Sequence, residues 1–232
     1  MSATAAAGAA RESAVETEKE ISPSAPGVQF VLTSFGPFRG VAVNPTQILL
    51  ERFRARDCSV PTVLVETSAE AACDAIEDIH NTYSPLLKDR TVVVVHLGVN
   101  YRGKTFQIEQ CAYNDASFRI PDQKGFQPQK ECILTKSDHG KCLKTTLDVN
   151  RLCEDLKARG EPVVVSTDPG RFVCNYLYCL SLESCIEANR LSGEGSQRIH
   201  SLFIHVPPFH VIPEERQLDF ISRVMKHVEA AI

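Results

Sequence analysis

Two runs of consecutive valines, Val92–Val95 and Val163–Val165, constrain this chain more than any other feature. β-Branched side chains favour extended backbone, and successive residues of a strand point to opposite faces. A strand with valine at every position is therefore apolar on both faces. It is stable only where both are covered, as in a parallel sheet clad with helices. Strands are expected at 29–33, 62–65, 91–97, 105–109, 162–166 and 201–206. Helical signals fill the gaps. Asn44-Pro45 pairs an N-cap residue with proline at the first helical position, ahead of Ile48, Leu49 and Phe53. Thr67 with Glu70 predicts a capping box opening a helix that carries Ala72, Ala75, Ile76 and Ile79. Val149, Leu152, Cys153 and Leu156 share one helical face, as do Leu218, Ile221, Val224 and Val228. Strands alternating with helices predict an α/β chain: a single three-layer α/β/α sandwich over 28–232, its central sheet largely parallel. Only the stretch between Cys111 and Lys144 breaks the pattern, with turn-formers such as Pro121-Asp122, Lys124-Gly125 and His139-Gly140. A long irregular segment in a compact domain is usually functional.

Composition narrows the function. Twenty-five basic against 29 acidic residues give a net charge of −4, which offers no electrostatic footprint for nucleic acid or anionic membrane. The longest aliphatic run, Val92–Val95, is far short of the ~18 residues of a spanning helix. Residues 1–27 are rich in Ala, Ser and Glu and lack an apolar core, so they read as a disordered extension rather than a signal peptide. Arg11 is their only arginine, which argues against a mitochondrial presequence. Nine cysteines without a secretory signal indicate reduced thiols in the cytoplasm, most of them expected to be small buried hydrophobes. No Cys-x-x-Cys or His-x-x-x-His spacing is present, and no metal site is expected.

Cys174 is the first candidate for chemistry. It follows the turn Thr167-Asp168-Pro169-Gly170 and opens a helix over 175–182. A thiolate in a first helical turn is stabilised by free N–H groups and the positive dipole end, although any of the nine cysteines could equally be a packing residue. A proton carrier is needed. His205 ends a strand and precedes Pro207-Pro208, and strand C-termini line the crevice of a parallel sheet. His96 and His210 are rivals. Glu109, a carboxylate in an apolar strand, either pairs with the histidine or faces water from an edge strand.

Several blocks then fall in an order that resembles pyroglutamyl-peptidase I, also called pyrrolidone-carboxyl peptidase. They are Ser34-Phe35-Gly36-Pro37-Phe38, Val43-Asn44-Pro45, Glu109, Arg119-Ile120-Pro121-Asp122, Asp168 to Asn175 and His205-Val206-Pro207. The resemblance implies a phosphorylase/hydrolase-like α/β/α fold and a cytosolic cysteine peptidase that needs neither metal nor organic cofactor. It implies Cys174 as nucleophile, His205 as base and Glu109 as the carboxylate orienting it. Phe35 and Phe38 would wall a lactam pocket, and Asn44 would hold their loop. Phe172, Val173 and Ile120 would line the pocket, and Arg119 with the Cys174 backbone N–H would meet the oxyanion. The implied substrates are peptides beginning with pyroglutamate. Both monomers and tetramers occur in the family, so the resemblance leaves oligomeric state open. Ser34, Pro169 and Val99-Asn100 depart from the family pattern. Two other readings stand beside this one: a nucleoside phosphorylase or hydrolase on the same fold, with Arg171 as its nearest anion ligand, and a non-catalytic pyroglutamyl-peptide-binding or thiol-sensing protein.

Overall fold

The computed structural model describes residues 27–38, 40–41, 43–191 and 198–232. Apart from Gly27, the expected disordered extension lies outside the described residues. The elements in chain order are β1 (Val28–Phe35), α1 (Pro45–Arg56), β2 (Thr62–Val65), α2 (Ala69–Tyr83), β3 (Thr91–Val99), β4 (Phe106–Glu109), β5 (Cys111–Tyr113), β6 (Cys142–Lys144), α3 (Val149–Ala158), β7 (Val163–Ser166), α4 (Val173–Leu191), β8 (Ile199–Val206) and α5 (Glu214–Ala231). The expected strands form one six-stranded sheet in the order β2-β1-β3-β8-β4-β7. Every neighbouring pair is parallel except β4 with β8, so β4 and β7 run against the other four strands.

Alternation along the valine strands builds two cores at once. Val93, Val95 and Leu97 of β3 join Phe30, Leu32, Leu202 and Ile204 under α1, α3 and α5. Val92 and Val94 point the other way, toward Ile79 of α2 and Cys185 of α4. Phe106 of β4 stacks on Phe220 of α5 with ring centroids 3.6 Å apart. The near side, under α2 and α4, collects Phe35, Val65, Leu177, Tyr178 and Phe203.

Three expectations are corrected. First, the cap of α2 is Ser68, not Thr67: Ser68 Oγ accepts the Ala71 N–H at 3.2 Å, while Thr67 donates to the Gly36 carbonyl at 3.0 Å. Asp122, distant in sequence, caps the same helix end by accepting from Ala69 N–H at 2.9 Å. Second, cysteine burial is divided. Cys111, Cys153, Cys179 and Cys185 are buried, Cys58, Cys73, Cys132 and Cys142 are exposed, Cys174 is intermediate, and all are free thiols. Three of the four exposed cysteines lie off the helices, Cys58 and Cys132 in loops and Cys142 in the short strand β6. Third, the irregular segment is not structureless. Its ends pair as the antiparallel β5–β6 ribbon, and Asn114 Nδ2 donates to the carbonyls of Leu134, Ser137 and Asp138.

Replacing the buried Ser68 by alanine should lower stability by about 1–2 kcal/mol, whereas Glu70→Ala should be nearly neutral. Urea unfolding of the two variants checks which residue caps α2.

Candidate active site

The site grows from the single antiparallel junction of the sheet. Gln107 of β4 lies opposite His205 of β8, and Glu109 opposite Phe203. Alternation turns Gln107, Glu109 and His205 toward the α4 side, away from the core of Ile108 and Ile204. Glu109 has no solvent exposure, which excludes the water-facing alternative. It reaches diagonally across the junction, and its Oε1 lies 2.8 Å from His205 Nδ1. The Tyr178 hydroxyl donates to the Glu109 backbone carbonyl at 2.9 Å, fixing the strand at this residue.

Cys174 is the second residue of α4, a helix that starts earlier than expected, at Val173. Gly170 turns the chain into it with a left-handed φ of 79°, and Asp168 Oδ1 accepts the Gly170 N–H at 3.2 Å. The thiol lies near enough to His205 to act on the ring by hydrogen bonding and charge. This meeting arises by a different route from the one expected. β7 runs opposite to β8, so their C-terminal ends do not share one crevice. Instead α4 lies antiparallel along β8: Asn189 bonds Ile199, Ser181 bonds Ser201, and Cys174 faces His205.

Electrostatics follow from these contacts. Burial alone would push the His205 pKa down, but the hydrogen bonds and charges of Cys174 and Glu109 outweigh it and raise the pKa to about 10. The imidazolium form therefore persists through neutral pH. His96 behaves oppositely. Burial lowers its pKa to about 3, and its ring is held between Thr33 Oγ1 at 2.7 Å and Ser181 Oγ at 2.8 Å. It is a neutral core residue, and His210 lies exposed in the turn after β8. Neither rival reaches the thiol.

The remaining expected site residues divide by exposure. Phe38 is half-buried, in an isolated bridge with Val41, and its ring meets Tyr101 edge to face at 6.1 Å. Asn44 caps α1 by accepting from Thr46 N–H at 3.1 Å while donating to the Gly36 carbonyl at 3.0 Å, which clamps the Phe35–Phe38 loop to the helix. Phe35 and Val173 are closed into the near-side core beside Phe203. Phe172 is half-buried against Phe118 at 4.8 Å. Arg119 and Ile120 are exposed on the irregular segment.

Two residues at the site carry roles that the sequence reading did not assign. Gly98 of β3 is level with His205, and a Cβ there would come within 2.7 Å of the Phe203 ring and 3.1 Å of His205 Cδ2. A glycine inside an aliphatic strand signals close approach, and that signal was present in the sequence. Arg171, three residues before Cys174, pairs with Asp115 at 3.4 Å and Asp168 at 2.8 Å and lies over the Tyr113 ring at 4.0 Å. It ties the turn before Cys174 to β5, a role that its place in the Asp168 to Asn175 block does not reveal. No cluster of His, Cys, Asp or Glu among the described residues has the geometry to hold a metal.

A buried carboxylate, a histidine and a cysteine in the first turn of a helix form the constellation of a cysteine-dependent acyl-transfer enzyme. Comparison with known proteins narrows the class. The sequence profile of the pyroglutamyl peptidase family matches residues 28–226. The chain is 30% identical to the pyrrolidone-carboxylate peptidase of Bacillus subtilis over 182 residues, 76% of this chain and 77% of that one. It is also 30% identical to pyroglutamyl-peptidase 1 of Rattus norvegicus, over 77% and 78% of the two chains. The crystal structure of Bacillus amyloliquefaciens pyroglutamyl peptidase I superposes with a TM-score of 0.68 at 26% identity, covering 89% of this chain and 98% of that one. The chain belongs to the pyroglutamyl peptidase family and is a cysteine peptidase of the pyroglutamyl-peptidase I type.

Gly98→Ala should push the His205 ring off the thiol. We expect iodoacetamide labelling of Cys174, followed by mass spectrometry, to slow by about 10-fold or more, because a thiol that loses its charged neighbour is less reactive.

Proposed function

We propose that the protein removes an N-terminal pyroglutamyl residue from peptides in the cytoplasm, releasing 5-oxoproline and a peptide with a free amine. The observation that carries this reading is the line Glu109–His205–Cys174 at the N-terminus of α4, in a chain of this family. Cys174 attacks the pyroglutamyl carbonyl as a thiolate, with the charged His205 beside it. The tetrahedral oxyanion faces the Cys174 backbone N–H and Arg119, and a well-placed donor there is worth about 3–4 kcal/mol. His205 gives its proton to the departing amine, leaving a thioester. Neutral His205 then takes a proton from water as the water attacks the thioester, and the Cys174 thiolate leaves with 5-oxoproline released. Glu109 holds the imidazole in one orientation and stabilises its charged form without taking the proton. The half-buried rings of Phe38 and Phe172, with Ile120, suit an uncharged lactam. A peptide with a free N-terminus would have to strip water from its ammonium to enter, which excludes it. The nucleoside phosphorylase alternative draws no support, since Arg171 is already occupied by Asp115 and Asp168.

Cys174→Ser should reduce cleavage of a fluorogenic pyroglutamyl amide by at least about 10³-fold with the fold intact, because an alkoxide is far harder to form than a thiolate. Turnover within tenfold of the native protein would remove Cys174 as nucleophile. Glu109→Gln tests the carboxylate through pH. The His205 pKa is raised partly by Glu109, so the imidazolium is present below about 10 and lost above it. Removing that charge lowers the pKa, and the alkaline limb of kcat/KM should move to lower pH while turnover falls by about 10²–10⁴-fold. An unmoved limb would leave a Cys–His dyad.

A further inference from the structure

We infer that Gln107 determines specificity, its side-chain amide presenting an oriented N–H donor to the lactam carbonyl of the pyroglutamyl residue; this rests on the peptidase reading above. Gln107 is half-buried directly opposite His205, on the sheet face that also carries Glu109. The orientation of an amide is settled by its neighbours. Here the chain of neighbours ends on a group that has only one choice. The backbone N–H of Arg102 can only donate, and it donates to Asn100 Oδ1 at 3.1 Å. Asn100 must therefore turn its nitrogen the other way, and Nδ2 donates to Gln107 Oε1 at 2.7 Å. With its oxygen occupied, Gln107 is left holding an Nε2 donor that has no protein acceptor among the described residues.

The surroundings say what such a donor meets. The Asn100 N–H donates to the Val206 carbonyl at 2.9 Å, which holds this turn at the end of β8. The next residue, Tyr101, packs its ring edge against Phe38. The amide pair thus joins the turn bearing the Phe38–Tyr101 aromatic contact to the strand position beside His205. A lactam lying against Phe38 with its exocyclic carbonyl at Cys174 has an amide edge to satisfy, and the lactam oxygen is the acceptor that an outward N–H fits. A prolyl ring, which has a methylene in place of that carbonyl, gains nothing from Gln107.

Two variants test the inference in the full chain. Gln107→Met removes the donor at similar volume. Asn100→Asp inverts it without touching Gln107: a carboxylate still accepts from Arg102 but cannot donate, so Gln107 rotates to give it Nε2 and turns Oε1 outward. For both variants the KM of a pyroglutamyl aminomethylcoumarin substrate should rise about 10-fold or more, with kcat changed much less. Protection of Cys174 from iodoacetamide by 2-pyrrolidinone should weaken by a similar factor, and in Gln107→Met, which changes no charge, the alkaline limb set by His205 should not move. An unchanged KM in both variants overturns the inference. So does a fall in kcat with a displaced alkaline limb, which would make Gln107 a support of His205 rather than a reader of the lactam. If the native protein neither cleaves the substrate nor is protected by 2-pyrrolidinone, the peptidase reading falls and the inference with it. Native cleavage with indifferent variants defeats the inference alone.

Discussion

The buried contact between Glu109 and His205 is the constraint to which the rest of the structure answers. A carboxylate with no solvent exposure is costly unless it is paired, and here the partner is an imidazole on the neighbouring strand. Cys174 and Glu109 together hold His205 charged against the desolvation that would neutralise it. His96 shows what the same sheet does to a histidine that has hydroxyls but no carboxylate: it stays neutral and purely structural. Two histidines in neighbouring strands therefore diverge through their partners.

The antiparallel junction of β4 with β8 is what makes that contact possible. It sets Glu109 diagonal to His205 and places Gln107 directly opposite the ring. Gly98 completes the arrangement from β3, because any side chain there would occupy the space taken by Phe203 and His205. On the α4 side, antiparallel packing of the helix along β8 carries its first turn to the same point. The left-handed Gly170 and the Arg171–Asp115 pair hold the approach to that turn. The cysteine is thus positioned by the helix and the histidine by the sheet, which are rigid elements rather than loops. Phe38, Arg119 and Ile120 lie outside the helices and the main sheet.

Much of this was legible in the residues. The valine runs required a sheet covered on both faces, and the helical periods supplied the cover. The ordered motifs named Cys174, His205 and Glu109, and the structure brings these three together. What failed to be legible was relational. Thr67 with Glu70 has the spacing of a capping box, but Ser68 caps the helix because Thr67 is drawn to the Gly36 carbonyl of another strand end. The expected meeting of strand C-termini gave way to helix-on-strand packing, since hydrophobic alternation is the same whichever way a strand runs.

By itself, the sequence determined the helices and the strands of the main sheet, which faces are apolar and which side chains have the chemistry for acyl transfer, because those follow from side-chain type and local period. The tertiary structure alone decided strand polarity, the burial that turns Glu109 from a surface carboxylate into a charge partner, and the direction in which the Gln107 amide points. Each of these depends on groups distant in the chain, such as Phe203 across from Glu109 and the Arg102 N–H behind Asn100. A hydrogen bond or an ion pair acquires its sign from its neighbour, and the neighbour is known only once the chain has folded.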